Sequence, residues 1–260
     1  FREKFGLASI PRPAGKIFWV HGASMGESLS VIPLIREIKK LYPHWNILMT
    51  SGTVTSARLI ERRLSDDVIH QFMPLDFLPY VKRFMNYWTP DLVLWVESEL
   101  WPHALHEIKR RQIKAISINT RISPKSLKLW SRMPEMFKRI MGTFTHIYPQ
   151  TKALDQSLKN LHIENTTYIG NLKFSLRPDM TQIQETVDRL KPLMEGRPCL
   201  MGASTHVGEE QFLIEAHRRL KEVYPDLLTV IAPRHPHRVE EILNLGGISH
   251  RNLFSQLGEE

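Results

Sequence analysis

The stretch HGASMGES, residues 21–28, has a counterpart 180 residues later in MGASTHVGEE, residues 201–210. Each follows an apolar segment typical of a strand, passes through Gly-Ala-Ser to Gly-Glu, and leads into a segment with helical periodicity. A strand, a tight turn and a helix together form the first part of a βαβ unit, whose strands are parallel. The repeated turn therefore predicts two α/β units of the same kind in one chain.

Strand and helix patterns alternate throughout. Strands are predicted at 17–21, 46–50, 68–72, 92–96, 113–118, 146–149, 198–202 and 227–232, with one more before Lys173. Asp76 is predicted to be the N-cap of a helix over 77–87. We predict an α/β fold with parallel sheets and domains at 1–175 and 176–260, joined by a linker at 175–180. The second domain is expected to be incomplete, because sheets usually have about four to six strands.

Composition narrows the class of protein. The chain has 260 residues, of which 42% are hydrophobic and 24% charged, so disordered and fibrous classes are excluded. A single cysteine, Cys199, excludes an internal disulfide and fits a reducing cytosol. No apolar run approaches the roughly 20 residues of a membrane span. The net charge of +8 favours nucleic acid, an anionic membrane or a phosphorylated substrate, unless the protein is simply basic.

Small residues occupy both turns. In open parallel sheets, ligands bind beyond the carboxyl ends of the strands, where helix N-termini present free N–H groups. Gly22, Ala23 and Ser24 would let a ligand approach the backbone, and Gly26 would relax the turn. Residues 202–205 repeat this arrangement. The pattern predicts two crevices, one for each of two substrates, although small residues at such turns also serve packing.

Charged residues follow several strands. Glu97 and Glu99 come after the strand at 92–96 and would share one side if that strand continued; alternatively, one caps the next helix and the other lies in a loop. Arg234 and His235 follow the strand at 227–232, and Pro236 suits a first helical turn. A guanidinium beside a helix N-terminus is a favourable phosphate site.

Eight motifs together resemble the Kdo (3-deoxy-D-manno-octulosonic acid) transferases of lipopolysaccharide assembly. HGASMGE, TSGTVTS, PLD, ESELWP, NTRIS, GNLKF, GASTHVGEE and PRHPHR occur in that family's order and with similar spacing. The resemblance implies a GT-B fold, in which two Rossmann-like domains face each other across a cleft and the C-terminal one binds the donor. It also implies an N-terminal membrane anchor and a further C-terminal nucleotide-binding stretch, neither of which we expect within these 260 residues.

By this resemblance, Kdo is transferred from CMP-Kdo to a lipid A precursor, lipid IVA, at the cytoplasmic face of the bacterial inner membrane. Glu27 would be the general base of an inverting transfer, with a pKa kept low by the helix N-terminus. Glu97 and Lys173 complete the predicted catalytic set. The structural alternatives are a helix-dipole role for Glu27, helix capping by Glu97 and a solvated surface lysine.

The remaining predicted site residues fall into two groups. The acceptor-binding residues are Ser24, Gly26, Thr50, Ser51, Thr53, Thr55, Glu99 and Arg121, and the donor-binding residues are Ser204, Thr205, Glu209, Arg234 and His235. No cofactor and no metal is expected, because cations and N–H groups can stabilise a single phosphate and the sequence has no HExxH or Cys/His cluster. His206, His235 and His237 are expected to contact anions or cap helices rather than bind zinc.

The expected partners are CMP-Kdo, the lipid A precursor and an anionic membrane surface. Residues 121–141 mix basic and aromatic residues and are predicted either to face the membrane or to form a solvated loop; Pro124 and Pro134 prevent one continuous helix. Two other functions stay open: a glycosyltransferase that uses a nucleotide diphosphate sugar, and a nucleic-acid-binding module. We expect no nucleic acid, because the sequence has no such motif. A dehydrogenase is disfavoured because no GxGxxG follows the first strand.

Overall fold

The structure is a computed structural model that describes residues 2–64, 68–97, 99–175 and 180–245. The chain divides into two compact units, Phe1–Arg177 and Pro178–Glu260, each of which is described by itself. Residues 176–179 of the predicted linker lie outside the described residues.

The first unit is built on a six-stranded parallel sheet. Its strands are β1 (Ile17–His21), β2 (Asn46–Ser51), β3 (Val68–Phe72), β4 (Leu92–Val96), β5 (Lys114–Thr120) and β6 (His146–Pro149). Their order across the sheet is β3-β2-β1-β4-β5-β6. The chain therefore adds strands on one side of β1 and then returns to add strands on the other. This reversal leaves a crevice beyond the carboxyl ends of β1 and β4, where open α/β sheets bind ligands.

Helices connect these strands. They are α1 (Met25–Leu41), α2 (Val54–Leu64), α3 (Leu78–Trp88), α4 (Pro102–Arg110), α5 (Pro124–Trp130), α6 (Pro134–Met141) and α7 (Lys152–Asn160). A 3₁₀ turn at Arg2–Phe5 precedes β1, and another at Leu172–Ser175 follows the sheet.

Apolar side chains on both faces of the sheet hold this unit together. Successive residues of a strand point to opposite faces. Trp19 and Trp95 therefore join one core cluster with Phe84 of α3, while Val20 and Val31 join a second cluster beneath α1. All five residues of β1 are buried, as expected for a central strand covered by helices on both faces.

Asp76 caps a different helix from the one predicted. The N-cap of α3 is Phe77, which makes no side-chain capping bond. The Asp76 carboxylate instead accepts hydrogen bonds from the backbone N–H groups of His103 and Ala104, at 3.1 and 2.9 Å. These are free N–H groups in the first turn of α4, so the tertiary fold redirects a residue that the local sequence assigned to α3.

The segment before Lys173 is not a strand. Thr166 makes a single isolated bridge with Ile147 of β6, and no ladder follows. Lys173 lies in the 3₁₀ turn instead, where the Leu172 N–H donates to the Asn119 side-chain oxygen at 3.1 Å. The Asn119 side chain thus accepts the hydrogen bond of a backbone N–H here, where the sequence predicted pairing with a neighbouring strand.

The second unit repeats the pattern on a smaller scale. Its two parallel strands are β7 (Cys199–Thr205) and β8 (Leu228–Pro233), and its helices are α8 (Met180–Met194), α9 (Glu209–Lys221) and α10 (Val239–Asn244), with a 3₁₀ turn at Pro236–Arg238. Gly202 packs closely against α9, because a Cβ there would require the end of the Leu213 side chain to shift.

Candidate functional site

Glu27 lies in the first turn of α1, directly beyond the carboxyl end of β1. Ser24 is the N-cap, and its hydroxyl accepts the Glu27 N–H at 3.3 Å. In return, Oε2 of Glu27 accepts the N–H groups of Ala23 and Ser24, at 2.5 and 3.3 Å. This reciprocal arrangement is a capping box. It fixes one carboxylate oxygen, while Oε1 makes no hydrogen bond within the part of the chain that the structure describes.

The environment of Glu27 favours its neutral form. Burial raises the pKa of the carboxyl above its usual value and outweighs the hydrogen bonds from Ala23 and Ser24, which lower it; the charges of Glu97 and Glu99 raise it further. The prediction that the helix N-terminus keeps this pKa low is therefore wrong, because desolvation dominates. A carboxylate with a raised pKa is a stronger base than an ordinary surface glutamate.

Neighbouring turns support this turn. The Gly22 N–H donates to the Thr50 carbonyl, and the Gly52 N–H donates to the Ala23 carbonyl, both at 3.0 Å. A Cβ at Gly52 would lie 2.9 Å from that Ala23 oxygen, so glycine permits the close approach. Gly26 has a different role from the one predicted: it lies inside α1 without a positive φ, and a Cβ there would meet open space.

Glu97 and Lys173 meet at the carboxyl end of β4. Lys173 Nζ lies 2.7 Å from Glu97 Oε1, which also accepts from the Asn119 side-chain amide at 3.2 Å. Glu97 and Asn119 both adopt left-handed backbone conformations, with φ of 60° and 54°. Such conformations are unusual for residues other than glycine and often occur at functional sites. Two strained strand ends therefore hold a nearly buried carboxylate and its counter-ion in place.

Glu97 and Glu99 do not continue the strand. β4 ends at Val96, and the left-handed turn at Glu97 breaks the two-residue alternation that would have placed both acids on one side. Glu99 is exposed, and its carboxylate accepts the Trp101 indole N–H at 2.6 Å. Neither acid caps α4, since Asp76 does so.

The predicted hydroxyl cluster divides into buried and exposed members. Thr50 and Ser51 are fully buried, and their hydroxyls contact the rings of His21 and His70, each at 2.9 Å. Both hydroxyls therefore have interior partners in this structure, and their role in acceptor binding stays a prediction. Thr53 and Thr55 are exposed, and the Thr53 hydroxyl accepts the Ser56 N–H at the start of α2. Arg121 is also exposed, and its N–H reaches the Glu97 carbonyl.

Two residues at this edge were not predicted. His21 is fully buried beneath the Glu27 turn. Lys4 donates to the Gly52 carbonyl at 3.3 Å and lies over the Phe72 ring; burial lowers its pKa, and its charge acts on both Glu99 and His21. His21 was visible as the first letter of the opening motif, whereas nothing in the sequence near Lys4 indicated that it would reach the end of β2.

In the second unit, a buried ion pair organises the corresponding turn. Arg238 donates two hydrogen bonds to the Glu210 carboxylate, at 2.9 and 3.2 Å, and the Thr205 hydroxyl donates to the same group at 2.8 Å. Thr205 is 5% exposed. Its hydroxyl therefore has an interior partner in this structure, and its contact with a donor phosphate stays a prediction. The sequence identified the turn but not Glu210 or Arg238, whose pairing depends on distant parts of the chain.

The other predicted donor-binding residues lie at the surface of this turn. Ser204, Glu209, Arg234 and His235 are exposed. Ser204 has a left-handed φ of 57°, and the Glu209 carboxylate accepts the His206 N–H at 2.8 Å, which fixes the start of α9. The Arg234 guanidinium has no hydrogen-bond or ion-pair partner among the described residues. Together these residues present a cation and a hydroxyl beside a helix N-terminus, an arrangement suited to an anion.

The basic segment forms α5 and α6, each with its proline in the first turn. Phe137 is buried in the core and stacks on Trp130. Five basic side chains are exposed there, Arg121, Lys125, Lys128, Arg132 and Arg139, together with three apolar ones, Leu129, Met133 and Met136.

The described residues contain neither a membrane-spanning helix nor a metal-binding cluster. None of their helices combines the length and the apolar character needed to cross a bilayer. Across the same residues, His, Cys, Asp and Glu side chains do not gather in a group of three that could hold a metal ion.

The fold resembles that of several solved enzymes. UDP-GlcNAc 2-epimerase from Neisseria meningitidis superimposes with a TM-score of 0.62 at 16% identity, over 89% of this chain and 69% of that one. A putative UDP-N-acetylglucosamine 2-epimerase from Listeria monocytogenes gives 0.58 at 19% identity, over 90% and 67%. At this level of identity the likeness concerns the fold alone, and it confirms an α/β fold of the GT-B type. The placement of the two units across a cleft stays a prediction.

Sequence relatives are closer. The 3-deoxy-D-manno-octulosonic acid transferase of Rickettsia felis is 35% identical over 89% of this chain and 49% of its own length. That of Haemophilus influenzae is 31% identical over 93% and 56%, and a probable mitochondrial one from Arabidopsis thaliana is 32% identical over 92% and 55%. The chain thus spans about half the length of these relatives.

A family model agrees with these relatives. Residues 1–176, which contain β1 to β6 and the Glu27 turn, match the model described as 3-deoxy-D-manno-octulosonic-acid transferase (kdotransferase). The resemblance carried by short motifs therefore extends over residues 1–176 of the first unit, and the chain belongs to the Kdo transferase family.

Proposed function

We propose that the full-length protein transfers Kdo from CMP-Kdo to a lipid A precursor, lipid IVA, with inversion and without a metal. The observation that carries the proposal is the state of Glu27: one carboxylate oxygen is fixed by the capping box, and the other is free on a group whose pKa is raised by burial. A positioned base of this kind typically accelerates proton transfer by about 10² to 10⁴.

The proposed reaction is a single displacement. Oε1 of Glu27 takes the proton of an acceptor hydroxyl as its oxygen attacks the anomeric carbon of Kdo. The bond between that carbon and the phosphate oxygen of CMP breaks, and CMP leaves with the electron pair. Glu97 supports Glu27 electrostatically, because its negative charge raises the Glu27 pKa. Lys173 has three N–H donors, so its pairing with Glu97 leaves donors for a carboxylate or phosphate of the substrate.

We assign the donor phosphate to the turn at the start of α9 and the 3₁₀ turn after β8. Arg234 supplies a cation, Ser204 a hydroxyl and His235 a ring, all exposed. The ion pair of Glu210 with Arg238 supports both segments from beneath. The acceptor is assigned to the first unit, where Ser24, Thr53, Thr55, Glu99 and Arg121 surround the strand ends.

We assign membrane contact to the surface of α5 and α6. Residues 121–141, which contain α5, α6 and the loops beside them, expose five cations and three apolar side chains, and these match an anionic interface at about 1 kcal/mol for each cation near the surface. Contact there would bring the strand ends of the first unit to an acceptor held in the cytoplasmic leaflet of the inner membrane by its acyl chains.

Transfer assays with the full-length protein, CMP-Kdo and lipid IVA test the proposal. We expect product with the unsubstituted protein, survival of activity in EDTA, and a fall of about 10² to 10⁴ in kcat for Glu27→Gln. Glu37→Gln is the matched control, because Glu37 lies on the same helix, is exposed and pairs with Lys40. CMP should compete with the donor and UDP should not. Full activity of Glu27→Gln would remove it from the base role, and competition by UDP would favour a nucleotide diphosphate sugar.

A further inference from the structure

His21 has a buried ring nitrogen without a partner. Its side chain is fully buried at the end of β1, immediately before the turn that carries Glu27. Nδ1 lies 2.9 Å from the Thr50 hydroxyl, whereas Nε2 is sealed from solvent and makes no hydrogen bond. Three other buried side-chain atoms among the described residues share this condition, on Gln71, Asp155 and Thr166. Only His21 adjoins the Glu27 turn, and an unsatisfied buried group there calls for a functional explanation.

The protonation state of the ring follows from burial and from the Thr50 hydroxyl. Burial lowers the pKa of His21 to about 3 and outweighs a hydrogen bond with the Thr50 backbone, which raises it, so the ring is neutral at physiological pH and carries one proton. The Trp19 indole is a donor only, and it donates to Thr50 Oγ1 at 2.9 Å. The hydroxyl proton of Thr50 then has Nδ1 as its hydrogen-bond acceptor. If Nδ1 accepts, the ring proton resides on Nε2.

The opposite tautomer leaves more groups unsatisfied. With the proton on Nδ1, both the Thr50 hydroxyl proton and the lone pair of Nε2 would lack partners. With the proton on Nε2, that N–H alone lacks one. His21 therefore holds a neutral N–H donor, ready for an acceptor atom, in a site otherwise rich in carboxylates that accept but do not donate.

Two indole rings enclose the imidazole. The Trp95 ring centroid lies 4.4 Å away and the Trp101 centroid 5.7 Å away. Trp95 is 1% exposed, whereas Trp101 is half-buried and bonds to the carboxylate of Glu99. Trp101 is therefore the neighbour whose movement can open a path to His21, and its ring and Glu99 offer the flat surface and the acceptor oxygens that suit a sugar.

We propose that the Nε2–H of His21 donates a hydrogen bond to an oxygen of the acceptor sugar and orients that sugar toward Glu27. This makes His21 a substrate-binding residue of the first unit, reached when the Trp101 ring shifts. The inference rests on the proposed function, because it takes the acceptor to be a sugar bound at the strand ends of this unit.

Two substitutions separate the two ring nitrogens. His21→Asn places an amide near Nδ1 and has nothing at Nε2, whereas His21→Gln carries an N–H donor near Nε2. Kinetics with lipid IVA and CMP-Kdo should show a KM for the acceptor raised about three- to tenfold by Asn, as expected for one lost hydrogen bond. Gln should recover most of that loss, and the KM for CMP-Kdo should change less than twofold in both. Thr50→Val removes the hydroxyl that both Nδ1 and the Trp19 indole contact but leaves Nε2 in place, so its acceptor KM should behave more like that of Gln than that of Asn.

Several outcomes would overturn the inference. An unchanged acceptor KM in His21→Asn would show that Nε2 contacts no substrate. Equal losses in Asn, Gln and Thr50→Val would show that His21 acts only by supporting the strand ends, and thermal unfolding of all three variants measures that effect directly. If the unsubstituted protein neither transfers Kdo nor binds lipid IVA, the proposed function fails and this inference fails with it. If the unsubstituted protein transfers Kdo and the His21→Asn variant has the same acceptor KM, the proposed role of His21 is wrong and the proposed function still stands.

Discussion

Lys173 Nζ lies 2.7 Å from Oε1 of Glu97, although β5, β6 and the helices α4 to α7 separate the two residues in the sequence. The carboxylate is 5% exposed and the lysine 37%. The lysine of the predicted catalytic set is therefore the counter-ion of a carboxylate in its own unit. The hydrogen bond from the Leu172 N–H to the Asn119 side-chain oxygen holds the turn that carries Lys173 against β5.

This pairing predicts coupled effects. Lys173→Met should destabilise the protein by about 1–3 kcal/mol, because it leaves the buried Glu97 carboxylate without its counter-ion and with only the Asn119 amide as a donor. Glu97→Gln removes the charge, so the double variant should lose less than the sum of the two single losses. Urea unfolding of the three variants provides the thermodynamic cycle. Strictly additive losses would mean that the two side chains do not interact in solution.

The charge of Glu99 should affect the pH dependence of kcat/KM through the Glu27 pKa. A general base works when it is deprotonated, so kcat/KM should rise as pH increases through the Glu27 pKa, which lies above its usual value. Since the charge of Glu99 contributes to that increase, Glu99→Gln should move the acidic limb of the profile to lower pH. Glu37→Gln should leave the limb in place. A limb that moves upward in Glu99→Gln would contradict the assignment of Glu27 as the base.

Two glycines at the Glu27 turn should respond oppositely to alanine. Gly52→Ala places a Cβ 2.9 Å from the Ala23 oxygen, so we expect lower stability and a lower kcat from a displaced turn. Gly26→Ala meets open space inside a helix, so its stability should rise by about 0.5–1 kcal/mol. If the acceptor approaches Gly26, the Gly26→Ala variant should nevertheless have a higher KM for the acceptor. Thermal unfolding and acceptor kinetics separate the two effects, and a destabilised Gly26→Ala would contradict this geometry.

The ion pair of the second unit should be important for donor binding. Arg238→Met leaves Glu210 buried and unpaired, so we expect a lower unfolding midpoint and a higher KM for CMP-Kdo, with little change in the acceptor KM. Adding Glu210→Leu should recover part of the midpoint, since no lone charge then remains buried. The exposed pair of Glu215 with Arg219 supplies the control, because breaking it should cost less than about 1 kcal/mol. Equal effects of the two single-site changes would argue against a positioning role.

Periodicity was sufficient to predict the strands of both units, because buried parallel strands and amphipathic helices leave strong local patterns. It failed where tertiary contacts replaced local ones. Asp76 caps α4 rather than the helix that follows it, and Asn119 satisfies the backbone before Lys173 where a strand was predicted. Neither exchange is visible in the sequence, because each partner lies far along the chain.

The candidate site was also predictable only in part, because its motifs are local in the sequence whereas the packing around its side chains is not. Motifs indicated Glu27, Glu97 and Lys173, but not that Glu97 turns into a left-handed conformation and so separates from Glu99. The resemblance predicts substrate contacts for the hydroxyls of Thr50, Ser51 and Thr205, but their burial and their interior partners are not visible in the sequence. Burial also reversed the expected pKa direction at Glu27, since desolvation depends on what packs around a group.

The capping box gives the two oxygens of Glu27 separate duties. Oε2 accepts hydrogen bonds that stabilise the start of α1, and Oε1 is available to take a proton from the acceptor. Glutamine preserves the first duty and abolishes the second, while aspartate is too short to reach the same N–H groups. Variation at this position is thus constrained twice, by folding and by turnover, and a library selected for solubility alone should accept the Glu27→Gln change where one selected for lipopolysaccharide synthesis rejects it.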